Sequence, residues 1–141
     1  MNYNLCMEKI PRVGVGVIIR RDNKVLLGQR KNAHGVGTWC PPGGHLEFME
    51  TIEDCVLRET AEEAGVKIKN LQKPVFAEEI HLKENKHYIN LLVTADWDSL
   101  EPELNEPDKF ELWDWFGWDN LPSPLFLPMQ IHIDQGYNPF E

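Results

Sequence analysis

One acidic segment constrains this chain more than any other part of its sequence. Between Glu50 and Glu63, six of fourteen residues are acidic and one is arginine. Thr51 is a good N-cap residue, and Gly65 suits the left-handed position just past a helix C-terminus. The segment therefore predicts a helix over residues 52 to 64 that carries a high density of negative charge.

Three glutamates in the second half of this helix favour a metal site. Glu59, Glu62 and Glu63 stand three and four positions apart, so they project from one face within an arc of roughly 100°. Like charges at this spacing repel, and the helix dipole disfavours them there by about 0.3 to 1 kcal/mol per group. A divalent ion would offset both costs, because Mg²⁺ takes oxygen ligands and keeps waters and substrate phosphates as its other partners.

Apolar residues on the same helix predict that it is buried. Leu57, Ala61 and Ala64 form one apolar strip, and further apolar residues precede the carboxylates on their own side. A helix on the solvated surface would be more polar.

The acidic segment resembles the Nudix box, G-x5-E-x7-R-E-U-x-E-E-x-G-U, in which U is a bulky aliphatic residue. The matching residues are Gly44, Glu50, Arg58, Glu59, Glu62, Glu63, Gly65 and Val66. Thr60 departs from the pattern at an aliphatic position, and we expect only a local packing change because threonine has about the size of valine. The resemblance is specific, since its fixed positions extend over 23 residues.

The resemblance implies one Nudix hydrolase domain over residues 1 to 141, folded as an α/β/α sandwich around a mixed β-sheet. The order of segments agrees with an α/β or α+β class. Strands are predicted at residues 13–19, 24–30, 74–82, 87–95 and 111–116, with 74–82 and 87–95 as a second pair, and a short helix within 121–136. Asp22 and Asn23 would form the turn between the first two strands. Gly14 and Gly16 suggest that another backbone or a ligand approaches this strand closely.

The activity that the resemblance implies is hydrolysis of a nucleoside diphosphate linked to another group X. The chain most resembles the MutT-like branch of the family, in Val-Gly-Val-Gly-Val near its start and Pro-Gly-Gly-His-Leu-Glu-Phe at 42 to 48. The leading prediction is cleavage of an NTP or dNTP, including an oxidised one, to the monophosphate and pyrophosphate. An ADP-ribose or nucleotide-sugar pyrophosphatase, and a noncatalytic nucleotide sensor, remain alternatives.

Roles for individual residues follow from the same resemblance. Glu59, Glu62, Glu63 and the carbonyl of Gly43 are predicted ligands of Mg²⁺, with Mn²⁺ also suitable. One of the glutamates would activate the attacking water, and the sequence does not say which.

Residues around these ligands have predicted supporting roles. Arg58 is expected to hold the carboxylates in ligand geometry, with Glu50 and Gly44 in support. Outside the box, Glu106 and Glu111 are candidates for an additional ligand.

Seven residues are candidates for binding the substrate. They are Arg30, Trp39, His45, Asn90, Lys109, Phe126 and Met129. The cations suit phosphate groups, and the apolar side chains suit a flat slot for a base whose edge an amide reads. Ordinary surface charge or core packing could also account for each of them. Trp113, Trp115 and Trp118 are predicted to pack in the core.

Composition excludes several other classes of protein. A net charge of −9 without a basic run argues against nucleic acid as a partner. Cys6, Cys40 and Cys55 lack metal-ligand spacing and are predicted to be buried or half-buried free thiols. No apolar run has transmembrane length and no secretory pattern begins the chain, so a cytoplasmic protein without a membrane partner is expected. Whether a homodimer forms stays open.

Overall fold

The structure, a computed structural model, describes residues 9 to 31 and 34 to 141. The strands of this part are β1 (Arg12–Arg21), β2 (Lys24–Arg30), β3 (Trp39–Cys40), β4 (Gly43–His45), β5 (Lys67–Lys69), β6 (Val75–His81), β7 (Lys86–Ser99) and β8 (Phe110–Gly117). The helices are α1 (Ile52–Glu63) and α2 (Leu127–Asp134), with a 3₁₀ turn at Trp118–Asn120. The short strands β3, β4 and β5 were not predicted from the sequence, because two or three residues give no readable alternation.

The strands of the described residues form one mixed sheet with β1 near its centre. β1 and β7 run parallel, whereas the other pairings are antiparallel. Asp22 and Asn23 both have positive φ angles, as a tight hairpin turn between β1 and β2 requires. The predicted hairpin and mixed sheet are therefore confirmed.

Side chains alternate along the strands and bury apolar surface on both faces of the sheet. On one face, Val17 and Ile19 pack with Cys55 and Val56 of α1. On the other face, Ile18 packs with residues that include Met129 of α2. The result is the expected three-layer arrangement of helix, sheet and helix. The three tryptophans also pack against these clusters as predicted.

Helix α1 begins and ends as its sequence predicts, but it buries a different strip. The hydroxyl of Thr51 accepts a hydrogen bond from the Asp54 N–H at 3.0 Å, and Gly65 has a φ of +70°. The expected apolar strip is wrong at Leu57, which is 40% exposed, and at Ala61, which is exposed, whereas Ala64 is buried. The buried side instead carries Cys55, Val56, Thr60 and Glu63. It brings one carboxylate of the acidic segment into the interior.

Candidate active site

A cavity of about 830 Å³ joins the carboxylates of α1 to side chains on the α2 face of the sheet. Gly43 and Gly44 of β4 lie at its edge together with Glu59 and Glu63. Gly14 and Gly16 of β1 also line it. At Gly14 the close approach predicted from sequence is made by a side chain, since a Cβ there would lie 2.6 Å from Asn90 Oδ1.

Glu63 is a buried carboxylate anchored to the backbone of β4. Its Oε1 accepts a hydrogen bond from the Gly43 N–H at 2.7 Å, and the residue is only 7% exposed. Burial raises the pKa of Glu63 to about 8, although the Gly43 N–H opposes this shift. The negative charges of Glu59 and Glu106 raise it further. A cation beside this carboxylate would therefore stabilise its ionised form.

The double glycine of β4 lets Glu59 lie against the backbone. A Cβ on Gly44 would come within 2.3 Å of Glu59 Oε1, and one on Gly43 within 2.3 Å of the Val15 carbonyl oxygen. Neither position has room for a side chain. Burial raises the pKa of Glu59, while the neighbouring Arg58 opposes that shift. The buried carboxylate of Glu63 and the half-buried carboxylate of Glu59 thus both lie beside β4.

Arg58 links the carboxylates of the acidic segment. Its Nε and Nη2 donate to the two oxygens of Glu50 at 2.7 and 3.0 Å, and Nη1 donates to Glu59 Oε1 at 2.8 Å. The bidentate pair holds the pKa of Glu50 down to about 2. These contacts agree with the predicted positioning role of Arg58, with Glu50 behind it.

Glu62 stands apart from the other two predicted carboxylate ligands. Its side chain is 53% exposed and lies 3.5 Å from Arg58 Nη1, outside the described lining of the cavity. Among residues 9–31 and 34–141, no three His, Cys, Asp or Glu side chains converge closely enough to hold an ion by themselves. The structure therefore does not assemble the expected cluster of three carboxylates.

The carboxylates of Glu59 and Glu63 are nevertheless suitable protein ligands for a magnesium ion. Both supply oxygen atoms at a buried, anionic edge, and Mg²⁺ is commonly held by one or two carboxylates with waters and substrate phosphates as the rest. Glu106 lies close enough for its charge to raise the pKa of both glutamates. Glu111 is exposed on β8. Of the two outside candidates, Glu106 is the better placed.

The three predicted phosphate-binding cations all line the cavity. Arg30 Nε donates to the His34 carbonyl at 2.7 Å, and its guanidinium lies 4.2 Å from the ring centroid of Phe126. Lys109 forms a 3.2 Å ion pair with Glu106. The ring of His45 stacks on Tyr88, and burial lowers the pKa of His45. His45 is therefore mainly neutral near pH 7, which makes it a hydrogen-bonding group more than a cation.

The predicted base slot is assembled only in part. Phe126, Met129 and Asn90 line the cavity, whereas Trp39 is not among the described residues that do so. Trp39 instead packs edge-to-face on Phe116, with ring centroids 5.1 Å apart, in the cluster beneath α2. The reason is strand alternation on β3, where the next residue, Cys40, faces the cavity instead.

Sequence reasoning missed the polar residues of β6. Glu79 and His81 line the cavity, and Glu79 accepts a hydrogen bond from Asn90 Nδ2 at 2.8 Å. The alternation of Ala77, Glu79 and His81 could have placed these residues on one face of a strand. The pairing of β6 with β7 is as predicted, but the sequence did not give the register that places Ala77 opposite Asn90.

The described cysteines are free thiols, as predicted. Cys40 and Cys55 are both buried, and burial raises the pKa of each to about 12. The prediction for Cys6 lies outside the described residues. No helix of the described part has the length and apolarity needed to cross a membrane.

Comparisons with known proteins agree with this geometry. The family model of the NUDIX domain matches residues 10–135. The MutT NUDIX hydrolase of Burkholderia pseudomallei has a similar solved structure, with a TM-score of 0.84 and 35% identity over 91% of this chain and 99% of that one.

Two curated relatives extend the comparison to named enzymes. The ADP-ribose pyrophosphatase of Methanocaldococcus jannaschii is 35% identical over 82% of this chain and 68% of its own length. The NAD-capped RNA hydrolase NudC of Vibrio parahaemolyticus is 39% identical over 75% of this chain. The match spans only 38% of that NudC protein, so the remainder of it has no counterpart in the alignment.

Proposed function

The chain belongs to the NUDIX family of pyrophosphohydrolases, and from that premise we propose that it hydrolyses a nucleoside triphosphate. The products would be the monophosphate and pyrophosphate, and the substrate would be an NTP or dNTP, including an oxidised one. The observation that carries the proposal is one cavity lined by the carboxylates of Glu59 and Glu63 and by an apolar slot that includes Phe126 and Met129. A small anionic molecule with a flat base fits this division.

In this proposal the acidic segment prepares the site for attack by water. Arg58 fixes the Glu59 carboxylate, and the Gly43 N–H fixes that of Glu63. Either glutamate can accept the proton of the attacking water. A bound Mg²⁺, or Mn²⁺ in its place, would neutralise charge on the phosphate oxygens and lower the pKa of that water. Glu59 and Glu63 would hold the ion, with Glu106 nearby.

The opposite side of the cavity would hold the rest of the nucleotide. Lys109, whose charge acts on Glu63, and Arg30, which lies beside Phe126, both line the cavity and would contact the phosphates. Phe126 and Met129 offer an apolar surface for the base. Holding the phosphates and base together orients the scissile bond toward the carboxylates.

A second candidate function is hydrolysis of ADP-ribose or a nucleotide sugar. It is favoured by the 35% identity to the ADP-ribose pyrophosphatase. The same carboxylates would serve, since both reactions split a bond between two phosphoryl groups. The two functions differ in the group attached to the leaving β-phosphate. In a nucleoside triphosphate this group is a third phosphate, and in ADP-ribose it is a ribose.

A substrate panel with an isotope label tests the proposal. The protein is incubated with Mg²⁺ and NTPs, oxidised dNTPs, ADP-ribose or NAD-capped RNA in H₂¹⁸O, and the products are separated by chromatography and weighed by mass spectrometry. We expect monophosphate and pyrophosphate from a triphosphate, with the label in one of them. Preferential cleavage of ADP-ribose to AMP and ribose phosphate would replace the first function by the second, and release of inorganic phosphate would contradict both.

A further inference from the structure

The cavity contains a second polar cluster on the strands away from α1. We define the base-end cluster as Glu79, His81 and Asn90, all of which line the cavity. The Glu79 side chain is 10% exposed and Asn90 is 7% exposed. A carboxylate buried to this extent is costly unless it is hydrogen-bonded, so its placement calls for an explanation.

Hydrogen bonds fix the direction in which the Glu79 carboxylate points. Oε1 accepts from Asn90 Nδ2 at 2.8 Å, and Oε2 lies 2.7 Å from His81 Nε2. A carboxylate has about four lone-pair sites, so these two partners leave each oxygen able to accept once more. The cluster is therefore oriented and still offers acceptors to a ligand in the cavity.

The amide of Asn90 occupies the space that a side chain at position 14 would fill. A Cβ on Gly14 would lie 2.6 Å from Asn90 Oδ1, so only glycine leaves room for this amide. Nδ2 donates one of its two hydrogens to Glu79, so Asn90 retains one N–H donor as well as the acceptor Oδ1. The free acceptors of the cluster are thus the remaining lone pairs of Glu79 and the Oδ1 of Asn90.

The sheet register gives the separation between the strand axes of β4 and β6. Gly14 of β1 pairs with His45 of β4 on one side and with Asn90 of β7 on the other, and Asn90 pairs in turn with Ala77 of β6. Three inter-strand spacings of ~4.8 Å separate β4 from β6, or about 14 Å. A nucleotide with its phosphates beside β4 would extend its base toward Glu79.

On the premise that the cavity binds a nucleotide as proposed above, we propose that Glu79 is a specificity-determining residue that selects guanine. The Watson–Crick edge of guanine carries two adjacent donors, N1–H and the 2-amino group, which match a carboxylate bidentately. Adenine and cytosine place a ring-nitrogen acceptor beside their amino group, and uracil flanks its single N–H with carbonyl oxygens. Those acceptors would face the Glu79 oxygens and be repelled.

Binding of the product nucleotides tests this assignment without requiring turnover. GMP, IMP and AMP are titrated calorimetrically into the wild-type protein, Glu79→Gln and the control Glu78→Gln. Glu78 is an exposed residue of the same strand on the opposite face of the sheet. IMP keeps the N1–H of GMP but lacks the 2-amino group, so it separates the two predicted contacts.

We expect wild-type protein to bind GMP about ten- to hundredfold more tightly than AMP, with IMP between them, as for a bidentate base contact. Glu79→Gln should bring GMP within about threefold of AMP while AMP affinity stays unchanged, which also shows that the variant is folded. Glu78→Gln should behave as wild type. Equal affinities of the wild type for GMP and AMP, or an unchanged preference in Glu79→Gln, would overturn the proposal. Equal losses for both nucleotides in Glu79→Gln would assign this carboxylate to the ribose hydroxyls and overturn it too.

Hydrolysis of GTP and ATP, measured in parallel, separates this inference from the proposed function. If both triphosphates are cleaved at the α–β bond without a base preference, the role of Glu79 is wrong and the proposed function stands. If GMP is preferred in a Glu79-dependent manner but no triphosphate is cleaved, the role of Glu79 stands and the proposed function is wrong.

Discussion

The two ends of the cavity are built in different ways. The acidic end comes from one continuous segment, in which Gly43, Arg58, Glu59 and Glu63 lie within 21 positions and contact one another. The base end collects β6, β7 and α2, whose cavity-lining residues run from Glu79 to His132. The bond-cleaving groups are thus positioned by local helix and strand geometry, whereas the groups proposed to choose the substrate depend on sheet register. Changes at the acidic end should lower kcat, and changes at the base end should act on KM.

The largest effect is expected from removing one charge at the acidic end. Glu59→Gln and Glu63→Gln keep side-chain volume, and in Glu63→Gln the new amide carbonyl can still accept from the Gly43 N–H. We expect kcat to fall about 10²- to 10⁴-fold in steady-state assays with Mg²⁺, the range of a lost catalytic base. Glu53→Gln, at an exposed position of α1, is the matched control and should retain wild-type kcat. Near wild-type turnover in both test variants would mean that the acidic end does not control kcat.

The paired glycines of β4 give the next largest effect and separate catalysis from stability. In Gly44→Ala the new Cβ would collide with the Glu59 carboxylate, which can move, so kcat should fall about 10²-fold while the fold persists. In Gly43→Ala it would collide with the Val15 backbone carbonyl, so the free energy of unfolding should fall by about 1 to 3 kcal/mol. Steady-state kinetics measure kcat, and urea denaturation measures the free energy of unfolding. Similar losses of stability in the two variants, with kcat unchanged in Gly44→Ala, would contradict the packing argument.

Arg58→Lys should have a smaller effect on the same end. Lysine keeps the charge but cannot bridge Glu50 bidentately while also contacting Glu59. We expect kcat or Mg²⁺ affinity to fall about 10- to 100-fold, the usual consequence of losing a partner that orients metal ligands. A Mg²⁺ dependence of the rate would show which of the two changes. If neither differs from wild type, Arg58 only relieves charge on α1.

The smallest effect is expected at the base end. Gly14→Ala would press on the Asn90 amide without touching Glu59 or Glu63, so KM should rise about 3- to 10-fold with kcat nearly unchanged. Initial rates over a range of nucleotide concentrations measure both parameters. A fall in kcat as large as that of the Gly44→Ala variant would mean that the two ends do not act separately.

The acidic end was predictable from sequence because its geometry is local. Helical spacing, the Thr51 cap and Gly65 are all read within one segment, and the structure reproduces them. Glu62 was the exception, because spacing alone cannot tell that the helix rotates Glu63 inward and leaves Glu62 beside Arg58 at the surface. Which helical face is buried depends on the sheet that packs against it.

The base end was predictable only in part because its residues meet through tertiary pairing. Asn90 and Phe126 were recognised by residue type, but Trp39 was misplaced into the slot because a two-residue strand gives no visible alternation. The pairing of β6 with β7 was predicted, but Glu79 resembled an ordinary strand charge because the sequence did not give the register of that pair. The partners of such a residue are fixed by the register of the paired strands.

Calorimetric titration of Mg²⁺ tests the central claim, that Glu59 and Glu63 hold a divalent ion beside the paired glycines of β4. It is carried out with and without GMP on the wild-type protein, on Glu63→Gln and on Glu53→Gln. We predict Mg²⁺ uptake by the wild type and by Glu53→Gln, and binding at least about tenfold weaker in Glu63→Gln. No uptake by the wild type under either condition, or equal uptake by Glu63→Gln, would contradict the account.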